Sequence, residues 1–224
     1  MPLKKVLILG GTREAAELAA ELEQSGKWDV TTSLAGRTKE PAPLAGKVRI
    51  GGFGGAKGLA EFIRTNEIEK VIDVTHPFAK TISANAAFAC QETGTVLEVR
   101  MRAPWGKQDG DRWIDVGSLE EAANALPSGA RVFLALGRQY IGAFTKRNDC
   151  HFLIRMVDMP ETELPFSSYR LIAAKPSSNP NEEAALLSEN DITHIVCRNS
   201  GGKGAYAKIV AAREMGLPVI MIGR

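Results

Sequence analysis

Two glycine-bearing turns hold the residues best suited to chemistry. Gly10-Gly11-Thr12-Arg13 directly follows the apolar run Val6-Leu7-Ile8-Leu9, and Arg198-Asn199-Ser200-Gly201-Gly202-Lys203 directly follows Ile195-Val196-Cys197. A strand that ends in glycines and opens a helix aims bare backbone N–H groups at one point, with the positive end of the helix dipole behind them. The chemistry is anion binding: a phosphate or a carboxylate. No acidic residue lies between Asp191 and Glu214, so Arg198, Lys203, Lys208 and Arg213 make a local positive field around the second turn, part of which can be a solvated helix face. Arg100 and Arg102 add cations near the middle of the chain.

The first turn reads Gly10-Gly11-Thr12-Arg13-Glu14-Ala15. It keeps the first glycine and the final small residue of a dinucleotide-binding turn and puts Thr12 at the middle glycine, where a hydroxyl joins the backbone N–H groups facing a pyrophosphate. A tight turn without a ligand is the alternative. The next strand ends in Ser33-Leu34-Ala35-Gly36-Arg37-Thr38, without the carboxylate that holds a ribose 2′-hydroxyl in NAD-binding units. Ser33, Arg37 and Thr38 are therefore expected around a 2′-phosphate, with Gly36 in the same cofactor-binding loop, which favours NADPH; the alternative is that Arg37 is a solvated loop cation. The run Gly51 to Gly55, with Gly54 within it, lets backbone approach the same ligand. Asp73-Val74-Thr75-His76-Pro77-Phe78-Ala79 follows a further strand. Thr75 or His76 is expected to cap a helix with Pro77 at its first position, or to lie beside the reacting ring, where His76 can position it, bind a carboxylate or donate a proton. Tyr-x-x-x-Lys, Gly-x-x-x-x-Gly-Lys-Ser/Thr and Gly-x-Ser-x-Gly are all absent, against short-chain dehydrogenase, P-loop and hydrolase chemistry.

Strands near 6–9, 29–34, 48–50, 70–74 and 96–99 alternate with helices near 13–25, 57–65 and 77–93. After a Pro- and Gly-bearing linker at 101–111 come strands near 113–116, 131–136, 151–156, 171–173, 193–197 and 218–222, with helices at 118–126, 138–146, 181–189 and 204–215. The fold class is α/β: two Rossmann-like lobes with mostly parallel sheets and an interlobe cleft. The expected domains are 1–100, binding NADPH, and 101–224, contributing to substrate and cofactor binding.

A net charge of +2 gives no bulk attraction for nucleic acid. No apolar run reaches membrane-spanning length, and the N-terminus lacks a signal-peptide pattern, so a cytoplasmic protein is expected. Cys90, Cys150 and Cys197 are odd in number and widely spaced, which suggests neither zinc nor a disulfide framework.

The chain resembles the precorrin-6A reductase family of cobalamin biosynthesis. The resemblance is carried by Ile8-Leu9-Gly10-Gly11-Thr12-Arg13-Glu14, Asp73-Val74-Thr75-His76-Pro77-Phe78-Ala79, Gly110-Asp111-Arg112-Trp113, Leu134-Ala135-Leu136-Gly137-Arg138 and Arg198-Asn199-Ser200-Gly201-Gly202, continuing through Ala211 to Ile222. It implies an NADPH-dependent reductase that delivers a hydride and a proton across a ring double bond of a polyacidic tetrapyrrole, with no metal needed. It also implies that other enzymes of the pathway make transient contact. On this reading Gly10, Gly11, Thr12 and Arg13 meet the pyrophosphate, and Thr75, His76 and Pro77 lie on the nicotinamide side. Arg100, Arg102, Arg198, Asn199, Ser200, Gly201, Gly202, Lys203 and Tyr206 meet substrate carboxylates. His76, Tyr206 and water compete as proton donor. A reductase of another conjugated anion and a non-catalytic dinucleotide sensor are the rival readings.

Overall fold

The structure, a computed structural model, describes residues 3–36 and 43–224. They form two compact units, Met1–Arg102 and Ala103–Arg224.

The first unit runs β1 (Lys4–Leu9), α1 (Arg13–Gln24), β2 (Trp28–Leu34), β3 (Lys47–Ile50), α2 (Gly55–Thr65), β4 (Lys70–Asp73), α3 (Lys80–Thr93) and β5 (Val96–Val99). The five strands lie in the order β3-β2-β1-β4-β5, every pairing parallel. Side chains of β1 alternate between faces. Val6 and Ile8 pack with Ala15, Leu18 and Ala19 of α1, while Leu7 and Leu9 pack with Leu59, Ala60 and Ile63 of α2 and Ala86 and Ala89 of α3. Both faces are covered, so the strand is a continuous apolar run. Strand order reverses between β1 and β4, and the crevice beyond the carboxyl ends of those two strands is where such sheets take ligands.

The second unit runs β6 (Arg112–Val116), α4 (Leu119–Asn124), β7 (Arg131–Ala135), a 3₁₀ segment (Arg138–Phe144), β8 (His151–Met156), β9 (Tyr169–Ala173), α5 (Pro180–Glu189), β10 (His194–Arg198), α6 (Ala207–Glu214) and β11 (Pro218–Ile222). Its order is β6-β11-β10-β7-β8-β9, again parallel throughout. One face packs Phe144, Phe152, Ile154 and Val196 with α4 and the 3₁₀ segment. The other packs Phe133, Leu153 and Cys197 with Leu187 of α5 and Ile209 and Ala212 of α6. Here the order reverses between β7 and β10.

The α/β architecture with parallel sheets is as the sequence predicts; several element edges are not. Neither Thr75 nor His76 caps a helix at Pro77. The chain turns through 77–79, Ala79 N–H bonding the His76 carbonyl at 2.7 Å, and α3 opens at Lys80 without a side-chain cap. The Thr75 hydroxyl donates instead to Asp73 at 2.6 Å. The expected helix at 138–146 is a 3₁₀ segment with Gly142 inside it. The helix expected from 204 begins at Ala207, after a turn rich in glycine. Among the described residues no helix is long and apolar enough to cross a membrane.

Candidate functional site

In the first unit, Thr12 bridges the β1–β4 crevice. Its hydroxyl accepts from Ala15 N–H at 3.1 Å as the N-cap of α1 and donates to the Val74 carbonyl at 2.7 Å. In this arrangement the single hydroxyl proton goes to Val74. What the turn still offers are the first N–H groups of α1, which have no partner within the helix. Gly10 bonds the Ser33 carbonyl at 2.9 Å, and a Cβ there would sit 2.9 Å from Thr32 Cγ2. Gly11 has φ +99° with open space where its Cβ would point, so a ligand can approach the bare backbone. The Arg13 guanidinium pairs with Glu17 at 2.8 Å on the exposed helix face.

Asp73, 3% exposed at the end of β4, accepts from both the N–H and the hydroxyl of Thr75, at 3.0 and 2.6 Å. This Asx-type turn fixes Thr75 and then His76 at the crevice. His76 Nδ1 accepts from Phe78 N–H at 3.3 Å, which puts the neutral ring's proton on Nε2. Pro77 follows, half-buried. Arg100 and Arg102, expected on the substrate, line the same small cleft as Thr12, Glu14, Val74 and Thr75. Arg100 pairs with Glu98 at 2.5 Å and Arg102 with Glu14 at 2.8 Å. Burial raises the Glu14 carboxyl, but its own backbone N–H and Arg102 outweigh that and hold it below the usual carboxylate range.

At the end of β2, Ser33 is buried and its Oγ accepts from Arg49 at 3.3 Å. Arg49 stands opposite Ser33 in the β2–β3 register. Gly36 (φ +72°) and Gly54 (φ +78°, the N-cap of α2) flank this corner. Arg37 and Thr38 lie outside the described residues.

In the second unit the 199–203 turn is tied to the segment that precedes β6. The Asn199 amide bonds both backbone groups of Trp105, its Oδ1 accepting at 2.7 Å and its Nδ2 donating at 3.0 Å. Trp105 Nε1 donates to the Gly202 carbonyl at 2.7 Å. A Cβ on Gly201 would lie 2.0 Å from the Ala103 carbonyl oxygen, and φ there is +66°. The carbonyls of Asn199 and Ser200 accept from Arg224 at 3.1 and 3.0 Å. The Asn199 side chain is thus engaged by Trp105. Arg198, at the end of β10, lays its guanidinium 3.2 Å over the Tyr140 ring beyond β7, across this unit's own switch point.

The expected positive field is partly neutralised. Arg213 pairs with Asp111 at 2.9 Å and donates to the Tyr206 hydroxyl at 2.9 Å. Lys208 is 4% exposed; its Nζ donates to the Ala205 carbonyl at 2.7 Å and lies 5.1 Å from the Trp105 ring. Burial lowers its pKa. Lys203 stays exposed, and with Gly202 and Tyr206 it lines a cavity of about 460 Å³ walled by Trp105, Pro180 and Val210. The Tyr206 hydroxyl accepts from Arg213 and keeps its own proton to donate. Sequence reasoning missed Arg49, Asp73, Trp105 and Tyr140. Asp73-x-Thr75 carries a turn signal that was legible; the other three act through strand register and chain return.

The described geometry thus holds two strand-end sites, each inside one parallel unit, built from the motifs that carry the resemblance. Comparison with known proteins agrees. The family described as Precorrin-6x reductase CbiJ/CobK matches residues 5–224. The chain is 45% identical over 223 residues to the precorrin-6A reductase of Rhodobacter capsulatus, covering 99% of this chain and 88% of that protein. It is 46% identical over 225 residues to the precorrin-6A reductase of a Sinorhizobium species, covering 100% of this chain and 86% of that one. To the cobalt-precorrin-6A reductase of Priestia megaterium it is 28% identical over 232 residues, covering 98% and 90%. The solved structure described as CobK precorrin-6A reductase superposes with a TM-score of 0.95 at 45% identity, over 99% of this chain and 88% of that one. The chain belongs to the precorrin-6x reductase family.

Proposed function

We propose that this chain reduces a ring double bond of precorrin-6A to give precorrin-6B, with NADPH as reductant. Residue-level support comes from the Thr12–Val74 bond, which holds the glycine turn and the Thr75-His76 segment together at the one place where a parallel sheet takes a dinucleotide. The bare backbone at Gly11, with nothing where a Cβ would stand, fits a pyrophosphate. Bound there, NADPH would supply the hydride.

The protein's part is to orient, exclude water and place charge. Gly10, Gly11 and the N-terminal turn of α1 hold the pyrophosphate. Asp73 fixes Thr75 and His76 beside the nicotinamide. Arg100 and Arg102 lie at that end and can meet an acidic group once their carboxylate partners yield. In the second unit Lys203, Ser200 and the Trp105–Tyr206 cavity take the acidic side chains of the tetrapyrrole. His76, the Tyr206 hydroxyl and bound water are the three candidates to hand over the proton completing the reduction.

The metal-free substrate is preferred because relatives named precorrin-6A reductase are 43% to 46% identical to the chain, whereas those named cobalt-precorrin-6A reductase are 26% to 29% identical. The test is anaerobic incubation with NADPH and either macrocycle, followed by loss of nicotinamide absorbance. Oxidation with precorrin-6A at a kcat/KM above that for the cobalt form supports the reading. NADPH that binds but is never oxidised would leave the chain a sensor.

A further inference from the structure

The first unit carries an arginine that the reaction as described does not use. Arg49 is the penultimate residue of β3, opposite Ser33 of β2. Its NH1 donates to the Gly51 carbonyl at 2.6 Å and Ser33 Oγ at 3.3 Å, and its NH2 to the Gly52 carbonyl at 2.6 Å. All three acceptors are neutral. Arg13, Arg100, Arg102, Arg147, Arg155 and Arg213 each have a carboxylate partner. Arg49 makes no ion pair among the described residues.

Among the described residues its charge is therefore held in place with no carboxylate against it. The guanidinium lies 3.8 Å over the Phe53 ring, which fixes its plane. Three of its bonds use only part of the five-donor fork. The Gly51 and Gly52 carbonyls turn toward it, so in a trans peptide the N–H groups of Gly52 and Phe53 point the opposite way. Gly51 at φ +114° permits that turn. The result is a fixed cation beside outward backbone donors, next to the end of β2, where a dinucleotide unit discriminates the ribose 2′ substituent.

From this arrangement we infer that Arg49 is a specificity-determining cation for the cofactor's 2′-phosphate, acting beside whatever the end of β2 supplies. The inference rests on the reading of the first unit as the NADPH-binding unit. A phosphate dianion is the ligand class that an oriented guanidinium with spare donors selects over a hydroxyl.

Calorimetric titration with 2′,5′-ADP and with 5′-ADP tests it, on the unmodified protein, Arg49→Gln and Arg49→Lys. Arg49→Gln should weaken 2′,5′-ADP about tenfold or more while 5′-ADP stays within about twofold and the melting temperature holds. Arg49→Lys, which keeps charge but not the fork, should fall between, and it decides the matter if Arg49→Gln does not fold. Equal losses for both nucleotides would make Arg49 a loop brace only, and no loss for either would remove it from the site; either result overturns the inference. If the unmodified protein binds neither nucleotide, the cofactor reading itself fails. If it distinguishes them and Arg49→Gln distinguishes them equally well, only the role of Arg49 fails.

Discussion

Asn199 grips Trp105 at both backbone groups, its side-chain oxygen taking the N–H at 2.7 Å and its nitrogen giving to the carbonyl at 3.0 Å. The pair converts a sequence separation of 94 residues into one joint, and the indole of the same tryptophan closes it on Gly202. Asn199→Ala removes both bonds and leaves two half-buried backbone groups to find water. The expected cost is about 1–3 kcal/mol, read as a fall in the urea midpoint at unchanged slope. Asn199→Asp keeps an acceptor and loses the donor, and should lie between.

Gly201→Ala strikes the same joint from the backbone. The new Cβ would overlap the Ala103 carbonyl oxygen at 2.0 Å in a conformation that L side chains rarely adopt. Because the atom met is backbone, relief requires the 199–203 turn or the chain at Ala103 to move. We expect a loss of at least about 2 kcal/mol and a raised KM for the tetrapyrrole with little change in the KM for NADPH. Combined with Asn199→Ala the losses should fall short of additive, since both act on one contact. A thermodynamic cycle on the four proteins measures this.

Thr12→Val removes a cap and a tether together while keeping the shape. Losing the Ala15 cap and the Val74 bond should cost about 1–2 kcal/mol and weaken NADPH binding. Thr12→Ser retains both bonds and should recover most of each loss. Calorimetric melting with and without NADPH separates the two effects.

The Glu14–Arg102 pair predicts an acid-side dependence. The Glu14 carboxyl titrates lower in the folded protein than in the unfolded chain, through its own backbone N–H and Arg102 against the opposing effect of burial. The unfolded state therefore binds the proton first. The stabilisation is present above the ordinary carboxylate pKa of about 4.3 and is lost as pH falls through the lower folded value. With both side chains partly exposed, its size is at most about 1 kcal/mol. Arg102→Gln should lower stability by up to that amount at neutral pH, where both partners are charged, and leave it almost unchanged in acid where Glu14 is protonated in both states, so that the acid limb flattens, as followed by denaturant melts across pH.

Much of the fold was legible because local signals and packing agree. A strand buried on both faces reads as unbroken Val, Leu and Ile, as Val6 to Leu9 does in β1. The edges went astray where a competing bond decides them. The chain closes a turn from His76 to Ala79 before α3, so a helix that Pro77 appeared to open begins at Lys80. Of the site, the backbone positions were readable, since glycine before a helix has a geometric meaning. Side-chain roles were less so. The partner of Arg13 is its own i+4 neighbour, that of Arg213 is Asp111 some 102 residues away, and that of Arg49 is set by register with Ser33. Charge in a sequence marks a cation, but only the folded neighbours tell whether it is already answered.

On the proposed function, hydride passes from a nicotinamide bound to this chain onto the precorrin-6A ring. Reaction with NADPH deuterated at the 4-position, each epimer in turn, followed by mass spectrometry of the product, tests it most directly. One epimer should place a single deuterium on carbon in every product molecule, and the other none. Unlabelled product from both, or intact NADPH beside unchanged macrocycle, would contradict the account.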